Sequence, residues 1–340
     1  MWLENVWFGL FVAIVAGYLI LDGFDLGVGM LLPFLARDDT ERRMVLNSIG
    51  PIWDGNEVWL VVAGGVLFAA FPIVYAALLS GFYWAMMLLL IGLILRAVAI
   101  EFRGKRESRA WRTTWDYVFF AASLALSVLL GVAFGNIVTG VPLNASGQVV
   151  VGSLLDLLHP FPLVFGVVTV AMLAVYGAVF LDLKTEGAIH SRARRAIAPI
   201  ALVFVVLAVV AVVWMAVARY EIPQSYRDHA WLFVFPAAAV AAGVVAGVSL
   251  LHGRDVSGFF WSAAAIVLTL VSLAAGLYPD LLISTTNAKY NMTVSNASSA
   301  AETLTVMLVV AVIGLPFVFL YTAGVQYLFR GKVRLTADSY

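Results

Sequence analysis

Residues 22–65 read DGFDLGVGMLLPFLARDDTERRMVLNSIGPIWDGNEVWLVVAGG. Two of its segments are apolar enough to lie in lipid, yet Asp22 and Asp25 sit in the first and Asp54 and Glu57 in the second. An acid at the centre of a membrane helix costs about 2.5–3.5 kcal/mol on an insertion scale, so such residues face protein or water and carry a function. Residues three and four apart share a helix face. Asp22, Asp25 and Gly29 therefore line one side of the first segment, and Gly23 and Gly27 form a small-xxx-small pair on another, where a helix can approach closely. In the second segment Asp54 and Glu57 share a face, with Asn56 and the indoles of Trp53 and Trp59 nearby.

The spacing predicts that the second helix starts with Ser48 as N-cap and Pro51 in its first turn, where a missing N–H is harmless. At about 1.5 Å per residue, Asp54 then lies about 9 Å and Glu57 about 14 Å inside that end. Asp25 and Asp22 lie about 15 and 20 Å from the end of the first helix on the same side. The four acids form a staircase from one membrane face, with Asp54 outermost.

Working outward, the 340 residues are 63% hydrophobic and 12% charged, and the mean hydropathy is +1.00. Soluble domains carry about a quarter charged residues, so this is an integral membrane protein. With no net formal charge, nucleic acid is not an expected partner. The first segment has no basic residue before it and carries acids, so it reads as a retained helix rather than a signal peptide. Cysteine is absent, which excludes disulfides and thiolate metal sites. His159, His190, His229 and His252 all fall in or beside polar connections, so each reads as a surface or helix-end histidine rather than a haem ligand.

Stretches of about twenty apolar residues recur at 6–35, 49–71, 74–95, 118–138, 161–181, 197–217, 231–251, 259–277 and 304–329. The expected architecture is a single all-α membrane domain of nine spans. Cytoplasmic connections hold the excess of Lys and Arg. With the N-terminus outside, the inner connections contain Arg37, Arg42 and Arg43, then Arg103 to Arg112, then Lys184 to Arg195, then Arg254 and the tail cations; the outer ones contain only Arg219, Arg227 and Lys289. That orientation opens the staircase to the cytoplasm. The basic run 96–112 reads as a solvated, lipid-facing loop. Two outer connections, 139–160 and 279–302, are long, and carry glycosylation-type triplets at Asn144, Asn291 and Asn296.

Residues 21–83 resemble the signature of subunit II of cytochrome bd-type quinol oxidases. The likeness continues through WDYVFFAASLALSVLLGVAFGNIVTGVPLN (115–144), NASSAAETLTVM (296–307) and LPFVFLYTAGVQY (315–327). It implies two four-helix bundles plus one peripheral helix in a bacterial plasma membrane. It also implies a partner, subunit I, that holds two haems b, one haem d and the quinol site, with acids matching Asp25 and Asp54 helping to bring cytoplasmic protons to the dioxygen-reducing haem. Some members bind a structural quinone in this subunit or carry small single-helix accessory subunits, so both enter as expectations. The connection 219–230 is shorter than in some members. The competing readings are a proton-coupled secondary transporter, which would show internal repeats and broken helices, and a purely structural assembly subunit.

Overall fold

A computed structural model describes residues 1–217 and 224–335. The described residues fold into twelve α-helices: α1 (Trp2–Leu35), α2 (Asp39–Ile49), α3 (Trp53–Ala70), α4 (Pro72–Gly81), α5 (Tyr83–Arg103), α6 (Arg109–Thr139), α7 (Pro160–Lys184), α8 (Gly187–Val217), α9 (Gln224–Asp228), α10 (Val234–Leu251), α11 (Asp255–Leu277) and α12 (Ala301–Leu328). Eight helical segments among the described residues are long and apolar enough to cross a membrane, and the pair α2 and α3, bent by 46°, makes a ninth.

The second and third spans depart from the expected boundaries. Ser48 is not a cap: it lies within α2, where its hydroxyl donates to the Val45 carbonyl at 2.6 Å. Pro51 sits in the turn between α2 and α3, and α3 begins at Trp53 without a side-chain cap. Gly50 before the proline keeps helical torsions, and the chain breaks at Ile52, with φ −129° and ψ −22°, before α3 starts. The third span is likewise split, at Phe82, into α4 and α5. Phe71 serves as the junction of α3 and α4, as the short 71–73 link requires. Several helices run past the apolar windows, α5 to Arg103 and α8 back to Gly187, because polar turns extend beyond the lipid. Arg219 and the start of the 219–230 connection lie outside the described residues.

α1 is the hub. Residues from Asp22 to Leu32 are buried without interruption, because α3, α6, α7 and α11 all pack against this helix. Its contact with α7 is a backbone approach: a methyl group built on Gly27 would stand 2.1 Å from the Leu173 carbonyl oxygen and 2.8 Å from the Gly177 Cα. Small residues permit that closeness. Beside it Phe24 stacks on Phe180 with ring centres 4.1 Å apart, and Tyr176 stacks on Phe259 of α11 at 5.2 Å. Further pairings join α5 with α6, α6 with α7, α7 with α8, and α10 with α11. α12 stands apart, its apolar stretch only 6% buried within the chain.

The two long connections close over one end of the bundle as a joint cap. Val141 donates to Ile283 at 2.9 Å and Thr285 returns to Val141 at 3.0 Å, beside a two-stranded antiparallel ribbon of β1 (Asp280–Leu282) and β2 (Met292–Thr293). The asparagines of the three triplets shape its turns. Asn144 Oδ1 accepts from the Gln148 N–H at 2.9 Å, Asn291 Oδ1 from Ser284 at 2.9 Å and Asn296 Oδ1 from Thr293 at 2.7 Å. Phe71, Phe82, Leu143 and Leu282 form an apolar cluster beneath.

Candidate functional site

Two helices deliver the acids and a third delivers a cation. α1 supplies Asp22 and Asp25, both fully buried. α3 supplies Asp54, Asn56 and Glu57 from its first turns, and α5 brings Arg96, also fully buried. Arg96 clamps Asp22 through both guanidinium nitrogens, with Nη1 at 2.8 Å from Oδ2 and Nη2 on Oδ1. The same Nη2 lies 3.2 Å from Glu57 Oε2. A planar guanidinium matches a carboxylate in this two-pronged way, and desolvated charges survive in pairs.

Asp25 is held differently. Its Oδ2 accepts from Asn56 Nδ2 at 2.8 Å, and its Oδ1 has no hydrogen-bond partner among the described residues. One turn further along the same face, Gly29 abuts the buried Ser123 of α6, whose hydroxyl also lacks a partner among the described residues. Asp54 is exposed on the outside of α3, and no arginine or lysine among the described residues pairs with it. The staircase thus divides: Asp22 and Glu57 converge on one cation, Asp25 sits beside them on an amide, and Asp54 stands at the chain surface.

The packing residues also find places. Trp53 and Trp59 are buried; the Trp59 ring fills the space over Gly17 and lies 5.5 Å from that of Phe319 on α12. Gly23 and Gly27 face Leu173 to Gly177 of α7. Their groove is therefore filled within this chain, by α7.

Arg96 is the residue that sequence reasoning missed, since a basic run after an apolar span reads as a loop. Residues 96–103 are not a solvated stretch, whereas 104–110 are exposed as expected. Arg103 is buried, with Nε 2.6 Å from Asp116 Oδ1 and Nη2 2.8 Å from Asp39. Arg42 reaches the same Asp116 at 2.8 Å and Arg112 reaches Asp39 at 2.7 Å. This network ties α2, α5 and α6 together at the end opposite the cap. Arg192 of α8 pairs with Glu41 there. The Arg192 guanidinium beside it holds the Glu41 carboxyl below its ordinary range against the opposing effect of burial, and the Arg37 N–H adds to it. The cations of these connections thus belong to a built structure.

For a metal or haem, the described residues contain no cluster of three or more His, Asp and Glu side chains able to hold an ion. His159, His229 and His252 are exposed, and His190 is turned to Asp182 at 3.1 Å. No two histidines face each other across the bundle, so these residues do not fit a haem held between two axial imidazoles.

Comparison with known proteins places the whole chain. The family described as cytochrome bd terminal oxidase subunit II matches residues 3–329. The cytochrome bd-I ubiquinol oxidase subunit 2 of Escherichia coli (strain K12) is 37% identical, covering 97% of this chain and 95% of its own. The cytochrome bd ubiquinol oxidase subunit 2 of Bacillus subtilis (strain 168) is 34% identical, covering 97% of each. A solved structure of the bd oxidase from Geobacillus thermodenitrificans superimposes with a TM-score of 0.75 over 97% of this chain and 99% of that one; at 17% identity this is a likeness of fold. A match from end to end, over a membrane bundle of the same shape, has one conclusion: the chain belongs to the cytochrome bd terminal oxidase subunit II family.

Proposed function

We propose that this chain carries cytoplasmic protons from Asp54 toward Asp25 for the oxygen chemistry of a haem-bearing subunit I. As a member of its family it is a subunit of a terminal oxidase, an oxidoreductase complex. Reduction of dioxygen to water consumes protons, which reach a buried centre only along ionisable groups and water. The histidines do not fit a haem here, so the haems b and d and the oxidation of quinol, ubiquinol in the relatives named above, are assigned to the partner. The bias of cations to the inner connections supports an N-terminus outside and a C-terminus in the cytoplasm of a bacterial plasma membrane. Two four-helix bundles with α12 outside both are what the family resemblance implies; in this chain α1 and α6 of the first four spans also pack closely on α7 of the next four.

The observation that carries the reading is the unequal treatment of the acids. A carboxylate gripped by both prongs of a guanidinium is fixed in place, so Asp22 with Arg96 is an anchor and Glu57 shares that anchor. Asp25 has one oxygen free of any cation and a neutral amide on the other. Asp54 is an exposed acid beside the apolar, exposed Val58 and Val61 of α3. An acid on such a face is expensive in lipid, which supports that face of α3 as the one a partner covers.

Steady-state oxygen consumption of the purified complex tests the proposal. Asp54→Asn and Asp25→Asn should each slow turnover while haem content and subunit recovery persist, because Asn keeps the shape but exchanges no proton. Full turnover in the assembled double variant would overturn it. If both substitutions instead abolish subunit recovery, the acids serve assembly only.

A further inference from the structure

A groove runs between the inner half of α1 and helices α6, α7 and α8. Its volume is about 470 Å³, within the usual range of ligand clefts, about 300–1,000 Å³. Every side chain lining it is apolar, among them Met30, Phe34, Phe120, Val170, Pro199 and Val203. Phe34 and Phe120 form one wall with ring centres 5.7 Å apart. Phe34, Val167 and Val203 are exposed on the rim, so the groove opens sideways, toward lipid.

What distinguishes it from an ordinary crevice is the charge at its inner mouth. Pro199, Ile200, Val203 and Leu207 put one face of α8 against the groove. Arg195 precedes Pro199 by four residues, so it stands on that face about 6 Å nearer the helix start. It is exposed, and no ion pair among the described residues engages it. Arg37 follows Phe34 by three residues at the end of α1 and is exposed as well. The nearby acids are already used: Glu41 binds Arg192 and the Arg37 N–H, and Asp38 caps the Glu41 N–H at 2.9 Å.

We infer that this groove binds one anionic phospholipid, with an acyl chain between α1, α6, α7 and α8 and its phosphate at Arg195 and Arg37. A neutral isoprenoid or a zwitterionic lipid could fill the apolar part but would leave the mouth's positive charge without its complement. Free phosphate would gain nothing from the groove. Both halves of the site therefore call for a molecule with a long apolar chain and a net negative head. The inference stands apart from the proton reading, since none of these residues belongs to the acid cluster.

The test uses the complex with its partner subunit, stripped of lipid and incubated with detergent micelles containing phosphatidylglycerol or phosphatidylcholine, with retained lipid counted by native mass spectrometry. One phosphatidylglycerol per complex should be kept in preference to phosphatidylcholine. Arg195→Gln should reduce that preference about fivefold, roughly what one basic residue is worth against an anionic headgroup. Val203→Trp, at the exposed rim, should lower retention of both lipids by blocking the groove. Recovery and oxygen consumption report that each variant is folded. Equal retention of the two lipids by the unaltered complex, an unchanged preference in Arg195→Gln, or undiminished retention in Val203→Trp would each overturn the inference.

Discussion

Arg96 is shared by Asp22 and Glu57, whereas Asp25 and Asp54 have no cation of their own among the described residues. Removing one partner of a buried ion pair strands the other charge, which costs about 3–5 kcal/mol. Arg96→Gln and Asp22→Asn should therefore lower the thermal midpoint and the yield of assembled complex, whereas Asp25→Asn should leave both nearly unchanged; differential scanning of the purified complexes separates the two classes. A second residue-scale expectation concerns pH. Glu41 is held below its ordinary value of 4.5, chiefly by the guanidinium of Arg192 beside it. Its contribution to stability is thus complete above the ordinary carboxylate range and disappears as pH falls through the lowered value. Glu41→Gln should flatten the acid limb of a stability profile recorded from neutral pH downward, with little effect of pH change above about 6. The acids themselves were legible from sequence, because a carboxylate in an apolar run stands out. Arg96 was not, because a cation at the end of an apolar run looks like the start of a loop until α5 is seen to continue to Arg103.

Among the elements, α1 and α7 meet at Gly27 and Gly177, with each glycine's missing side chain occupied by the other's backbone. Gly177→Ala would place a methyl 2.4 Å from the Gly27 carbonyl carbon. Overpacking of this kind costs about 1–3 kcal/mol or more, since backbone cannot rotate away. Gly27→Ala and Gly177→Ala should both depress the thermal midpoint of the complex, and Gly9→Ala, which meets nothing within 4 Å, should not. The small-xxx-small pair was visible in the sequence; which helix it serves was not, because spacing identifies a face and says nothing of the neighbour 150 residues away. The breaks at 50–52 and at Phe82 also escaped, since hydropathy averages over a window and is blind to a single kinked residue.

At the scale of the molecule, the length of the lipid core led to nine apolar spans, of which the second and third are broken helices, while their grouping depends on contacts that composition does not encode. α12 shows this best. Its sequence is more apolar than that of most spans, yet it leans on the rest mainly through its ends: the Trp7 indole donates to the Leu304 carbonyl at 3.1 Å at one end, and beyond the other Lys332 donates to the Thr185 carbonyl at 2.9 Å. The Asp22–Arg96 clamp has a consequence of another kind, in the order of synthesis. The two residues are 74 positions apart, so at about 5–20 residues per second Asp22 emerges from the ribosome about 4–15 s before its counter-ion. During that interval α1 carries two unpaired acids and cannot be released cheaply into lipid. The insertion machinery should hold α1 until α5 arrives. Site-specific crosslinking of arrested nascent chains checks this: α1 should contact the insertion channel in chains stopped well before residue 96 and leave it in chains stopped well beyond, and Arg96→Leu should keep it there.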